Sequence, residues 1–184
     1  MIAPVPGLRV CVYCASSTYD PELPAIATGV GEGTARHGRS LVSGGGNVSM
    51  TGAVAEAAGV GGARTVGVIP EGLRIRELAD TAADELVVIT MRERKRGTEE
   101  RSDAFLIRSG GIGTLEEMIE MWTSASPGFH REPVVLYDPI GFYRPLPDRI
   151  GRSAEAGLVD PEACMSPVGC DDLEAGLDAG GGRR

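Results

Sequence analysis

Two short stretches of this chain combine residue types suited to chemistry on a phosphorylated substrate. The first is Ser109-Gly110-Gly111-Ile112-Gly113-Thr114-Leu115-Glu116-Glu117. Gly111 and Gly113 have no Cβ, so backbone N–H groups there can turn toward a ligand. The run Leu115 to Trp122 is apolar at helical spacing. A helix there offers unsatisfied N–H groups and a positive dipole end to a phosphate, with the Thr114 hydroxyl beside them. Glu117 is a poor anion ligand and is better placed to handle a water or a sugar. The expectation is a phosphate cradle with a carboxylate next to it. The second stretch is Arg92-Glu93-Arg94-Lys95-Arg96. Most charge runs are solvated faces. This one follows a strand directly, on the rim where open α/β sheets bind ligands, so at least one arginine is expected to face the site.

The elements that must position these residues alternate along the chain. Strands are expected at Leu8–Ala15, Ser40–Val42, Arg64–Ile69, Glu85–Thr90, Ala104–Ile107 and Pro133–Tyr137. Helices are expected at Pro24–His37, Thr51–Ala58, Met91–Arg101, Phe142–Ala156 and Asp171–Leu177, with a short turn or helix at Leu73–Leu78. The glycines of the first helix (Gly29, Gly31, Gly33) weaken its propensity. Continuous apolar strands alternating with helices imply an α/β fold: a doubly wound, mostly parallel sheet with helices on both faces, Rossmann-like, in a single domain over residues 1–178. Residues 179–184 read as a flexible tail. A second glycine turn, Ser43-Gly44-Gly45-Gly46-Asn47-Val48, ends the second strand, and Ser16-Ser17-Thr18 ends the first. Ser17 and Gly45 therefore join the candidate ligand rim.

Composition excludes several classes. The 184 residues suffice for one domain with a sizeable core. A net charge of −8 argues against a general nucleic-acid binder and against anionic membrane surfaces. No apolar run is long enough to span a bilayer, and Met1 to Gly7 lacks the pattern of a signal peptide, so a cytoplasmic protein is expected. Cys11 and Cys14 have C-x-x-C spacing but lie in the first strand, where positions three apart face opposite ways, so buried structural cysteines are expected. His37 and His130 read as solvated. No His, Cys and carboxylate cluster has metal-ligand spacing, so no metal is expected. The spacing G-G-x-G-T-x-x-E is not G-x-G-x-x-G, and no acidic residue follows where a cofactor ribose would need one, which disfavours a dinucleotide. Pyridoxal phosphate chemistry needs a Schiff-base lysine. Lys95 is the only lysine, and it sits in a motif better explained by nucleotide binding. No cofactor is expected.

Taken together, Gly110–Glu117, Arg94-Lys95, Cys11–Ser17, Leu41–Gly46, Gly67–Pro70 and Ser102–Phe105 resemble, in order, the motifs of the Lonely Guy (LOG) family of cytokinin riboside 5′-monophosphate phosphoribohydrolases, which older usage calls lysine decarboxylase-like. The resemblance covers about residues 8–170. It implies hydrolysis of the N-glycosidic bond of a nucleoside 5′-monophosphate to free base and ribose 5-phosphate, in a Rossmann-like homodimer with each site near the dimer interface. It implies Arg94 and Glu117 as the catalytic pair. The stretch Gly110, Gly111, Ile112, Gly113, Thr114, Leu115 and Glu116 would carry the phosphate turn, and Glu77, Lys95 and Thr123 would contact the nucleotide. The chain departs from the family pattern at Ser109, where proline is usual, at Ser49-Met50-Thr51-Gly52, and at Arg92 and Thr98. A hydrolase for plain AMP or another purine nucleotide, and a non-catalytic nucleotide or cofactor carrier on the same scaffold, are the alternatives. A carrier has no need of the Arg94–Glu117 pair.

Overall fold

The computed structural model describes residues 7–125, 130–160 and 163–181. Among these residues, seven strands form one sheet: β1 (Arg9–Tyr13), β2 (Ser40–Ser43), β3 (Thr65–Pro70), β4 (Glu85–Ile89), β5 (Ala104–Ile107), β6 (Val134–Tyr137) and β7 (Val168–Cys170). Their order is β4-β3-β2-β1-β5-β6-β7, and every pairing is parallel. The chain winds outward from β1 to β4, then restarts on the other side of β1 with β5. The switch point therefore lies between β1 and β5, and the crevice beyond their carboxyl ends is where such sheets take ligands.

Among the described residues, six α-helices complete the layers: α1 (Glu22–Arg36), α2 (Ser49–Val60), α3 (Arg94–Glu99), α4 (Ile112–Ala125), α5 (Pro145–Glu155) and α6 (Leu173–Gly181). One face of the sheet is covered by α1, α2 and α6, through Val30, Met50, Val54 and Leu177 against Val10, Leu41 and Leu106. The other is covered by α4, through Met118 and Met121 against Cys11, Phe105 and Ile107. The α1 glycines have a packing reason. A Cβ on Gly31 would collide with the Val54 carbonyl, and one on Gly33 would stand 2.9 Å from Leu177 Cδ1. Close approach of α1 to α2 and α6 thus replaces the lost propensity.

Several boundaries differ from expectation. The charged helix starts at Arg94 rather than Met91, because Thr90 donates its N–H and hydroxyl to the Glu93 carboxylate at 3.1 and 2.6 Å and holds a turn there. Helix α5 starts at Pro145 rather than Phe142, since the Asp138 carboxylate accepts the N–H groups of Phe142 and Tyr143 at 2.8 and 2.7 Å. Strand β7 was not expected; it is three residues long, with two of them exposed. Residues 179–181 belong to α6 and not to a tail: Gly180 packs toward the Ala104 methyl, and the buried Arg39 donates to the Leu177 carbonyl at 2.5 Å. Residues 182–184 of the expected tail lie outside the described residues. Cys11 packs on the α4 side of the sheet and Cys14 against the α1–α2 side, both as free thiols. His130 is buried, not solvated: its Nε2 lies 2.7 Å from the Met121 carbonyl and its ring edge meets Phe105.

Candidate active site

The glycine turn follows β5, and α4 begins within it at Ile112. Gly110 is required sterically, since a Cβ there would overlap the Thr114 side chain. Gly111 and Gly113 have open space where a Cβ would stand, so the turn exposes backbone to solvent on the rim. Ile112 is 87% exposed, Leu115 packs toward the core, and Thr114 is buried under Gly110.

Glu117 shares one stripe of α4 with Thr114 and Met121, three residues before it and four after, at the spacing that places side chains over one another. Thr114, Met118 and Met121 are buried. The carboxyl group thus enters the edge of an apolar seam. Burial pushes its pKa up to about 7, the Arg94 guanidinium pulls the other way, Glu116 and Glu77 push it further up, and Lys95 lowers it. Burial of the charged form dominates. These five side chains come from three places in the sequence and form one electrostatic cluster.

Arg94, the first residue of α3, reaches across the rim to the second glycine turn. A Cβ on Gly44 would stand 2.7 Å from Arg94 Nη2. Glu77 approaches the same turn from the loop after β3. Its backbone carbonyl accepts from the Asn47 N–H at 2.9 Å, and its Oε2 would lie 3.3 Å from a Cβ on Gly46. Gly44 and Gly46 therefore face Arg94 and Glu77. Gly45, singled out from the sequence, is buried with φ +70° and packs on the β3 backbone at Gly67 and Val68, where a side chain would be strained and tightly packed. The roles of Gly44 and Gly46 were legible only as part of a glycine run.

Lys95 is held between two α4 carboxylates, with Nζ 2.5 Å from Glu116 and 2.8 Å from Glu120. Hydrogen bonds to both raise its pKa to about 12. The chain's one lysine is thus engaged by two carboxylates of α4. Ser17 is exposed after β1. Thr123 is not brought to the turn. It lies nine residues beyond Thr114, about 14 Å along the helix axis, and its hydroxyl donates to the Ile119 and Glu120 carbonyls of its own helix. Arg92 is exposed before α3.

Comparison with known proteins shows the family of the chain. Residues 51–179, which contain Arg94 and the whole glycine turn with Glu117, match the family model described as "Possible lysine decarboxylase". The chain is 46% identical over 171 residues to a cytokinin riboside 5′-monophosphate phosphoribohydrolase of Mycobacterium tuberculosis, covering 92% of this chain and 91% of that one. The chain belongs to the LOG, or lysine decarboxylase-like, family. A LOG-family phosphoribohydrolase of the same description from Arabidopsis thaliana is 37% identical over 157 residues, covering 84% of this chain and 72% of the relative. Among solved structures, a molybdenum cofactor carrier protein of Chlamydomonas reinhardtii superposes with a TM-score of 0.64 at 20% identity, over 94% of this chain and 95% of that one. At that identity the likeness is one of fold.

Proposed function

We propose that the protein hydrolyses the N-glycosidic bond of a nucleoside 5′-monophosphate, a cytokinin nucleotide or AMP itself, to free base and ribose 5-phosphate. The observation that carries this reading is Glu117, a half-buried carboxylate one helical turn inside a solvent-facing glycine turn and opposed by Arg94. The close relatives of that description support it.

The geometry gives each part a task. The exposed N–H groups of Gly111 and Gly113 and the α4 N-terminus take the 5′-phosphate. The ribose then lies over the edge of α4. Cleavage builds oxocarbenium-like charge on C1′, and ionised Glu117 faces that charge in a site of reduced dielectric, where the attraction is stronger than in water. The C1′–N bond breaks with its electron pair going to the base. Water delivers its hydroxyl to C1′ and its proton to the base nitrogen. Arg94, held over Gly44, keeps part of the Glu117 population ionised near neutral pH and is positioned for ribose or phosphate oxygens.

The reading includes a homodimer. Support comes from α4, which exposes Ile112 (87%) and Ile119 (38%) on one side, next to the site. Sedimentation of the purified protein at assay concentration tests it: a single species of twice the chain mass is expected, and a monomer opposes it. A cytoplasmic site of action, expected from the sequence, is tested by cell fractionation.

The activity is tested by incubating the protein with isopentenyladenosine 5′-monophosphate, with AMP and with the unphosphorylated nucleosides, and measuring released base. Base is expected from at least one nucleotide and not from the nucleosides. No release from either nucleotide contradicts the proposal.

A further inference from the structure

One buried group on the sheet's rim has no part in the mechanism above, yet it touches the phosphate turn from behind. Tyr143 lies in the loop between β6 and α5 and is 4% exposed. Its hydroxyl donates to the Arg108 carbonyl at 2.9 Å. The Gly110 backbone N–H interacts with the Tyr143 phenol oxygen and offsets part of the rise in its pKa that burial causes. One phenol thus reaches the backbone on both sides of Ser109, the residue that enters the glycine turn.

Tyr143 is itself fixed. Asp138, at the end of β6, accepts the N–H groups of Phe142 and Tyr143, and the Phe142 ring meets the Tyr143 ring edge-on at 4.9 Å. The residue it holds is anchored as well. Arg108 is fully buried, donates to the Tyr137 carbonyl at 2.8 Å and lies over the Tyr137 ring at 4.8 Å. Its backbone N–H bonds the Tyr13 carbonyl at 2.8 Å, and the Ser109 carbonyl accepts from Ala15 at 3.2 Å. The turn is therefore pinned to β1 on one side and to the β6–α5 loop on the other. Ser109 supplies no such constraint: it has no ring to fix φ, and its buried hydroxyl has no protein partner.

We infer that Tyr143 is a positioning residue for phosphate binding: its hydroxyl braces the Arg108–Gly110 backbone so that the turn's outward N–H groups are preset for the 5′-phosphate. Preset donors bind an anion without first ordering the loop that carries them. The inference rests on the reading of the glycine turn as the phosphate site.

The test compares wild type with Tyr143→Phe, which removes one oxygen and keeps the packing. Ribose 5-phosphate binding is measured by calorimetry, independently of turnover, and KM and kcat are measured on the nucleotide that wild type cleaves best. A lost hydrogen bond of ordinary strength corresponds to roughly a three- to tenfold effect. Ribose 5-phosphate is expected to bind three- to tenfold more weakly to the variant, KM to rise more than kcat falls, and free base to inhibit as before. A merely structural role would lower the melting temperature and the active fraction without this phosphate-specific change. If Tyr143→Phe does not fold, Asp138→Asn, which loosens the seat of Tyr143 but keeps its hydroxyl, is expected to weaken ribose 5-phosphate in the same direction. Equal binding by wild type and the folded variant overturns the inference, and so does a wild type that does not bind ribose 5-phosphate. A wild type that binds it but releases no base sinks the proposed reaction alone, and the binding ratio still decides the role of Tyr143.

Discussion

Arg94 lies against Gly44. The guanidinium of the first α3 residue fills the space where any other residue at the end of the second strand's turn would place a Cβ, 2.7 Å from Nη2. Two segments 50 positions apart in the sequence thereby fix one cation opposite Glu117. Replacing Gly44 by alanine leaves the fold's core untouched but forces Arg94 to move. Gly44→Ala is expected to lower kcat/KM on the nucleotide by roughly ten- to a hundredfold, the scale of a misplaced catalytic group, with a melting temperature close to wild type. Steady-state kinetics and thermal melts on the same preparation check this.

The pKa of Glu117, about 7, has consequences for both rate and stability. If ionised Glu117 stabilises the transition state, kcat/KM rises through a limb near pH 7 that reports the free enzyme. That limb should be absent from the residual activity of Glu117→Gln. For stability the sign is opposite to the usual carboxylate. The unfolded carboxyl ionises near its ordinary value, about 4.3, while the folded one keeps its proton to about 7. Ionisation therefore favours the unfolded chain increasingly between those values, and the full cost is present above pH 7. Glu117→Gln is expected to be more stable than wild type at pH 8, by up to about 3 kcal/mol, and nearly equal at pH 4. Denaturant unfolding at the two pH values measures the difference.

Lys95 lowers the pKa of Glu117 while bridging Glu116 and Glu120. The three side chains are a third to a half exposed, so the bridges contribute little to stability, about 1 kcal/mol or less. Lys95→Met is expected to leave the fold intact and to move the acidic limb of the pH–rate profile to higher pH, because a positive charge near Glu117 is lost. An unchanged or lower limb contradicts this cluster.

Gly110 differs from Gly111 and Gly113. A methyl group at 110 would overlap Thr114, whereas both other positions have room. Gly110→Ala is expected to destabilise the protein by about 1–3 kcal/mol through overpacking and to abolish phosphate-dependent activity. Gly113→Ala, within α4, is expected to keep its stability. Unfolding curves of both variants distinguish the roles.

Much of this was legible in the sequence because the signals were local. The strand–glycine–helix unit around Ala104–Glu117 declares itself by composition, and Arg94-Lys95 by its place after a strand. What was hidden depends on contacts between distant segments. Nothing near Gly31 shows that α2 packs there. The glycine run at 44–46 does not reveal which members face Arg94 and Glu77 and which packs on β3. Tyr143 and Arg108 look like unremarkable loop and strand-end residues until β6 and the β6–α5 loop bring them together. Strand β7 is too short for a pattern, and α6 outlasts its glycines because Arg39, 138 positions away from Leu177, donates to the Leu177 carbonyl within it.

The most direct measurement of the central claim is release of base from the nucleotide by wild type and by Glu117→Gln, with ribose 5-phosphate binding measured on both. The account expects Glu117→Gln to lose about a hundredfold or more in kcat, the scale of one electrostatic group in a buried site, while ribose 5-phosphate binds within a fewfold of wild type. Full activity in Glu117→Gln would show that the half-buried carboxylate of α4 is not the group that cleaves the ribosyl bond.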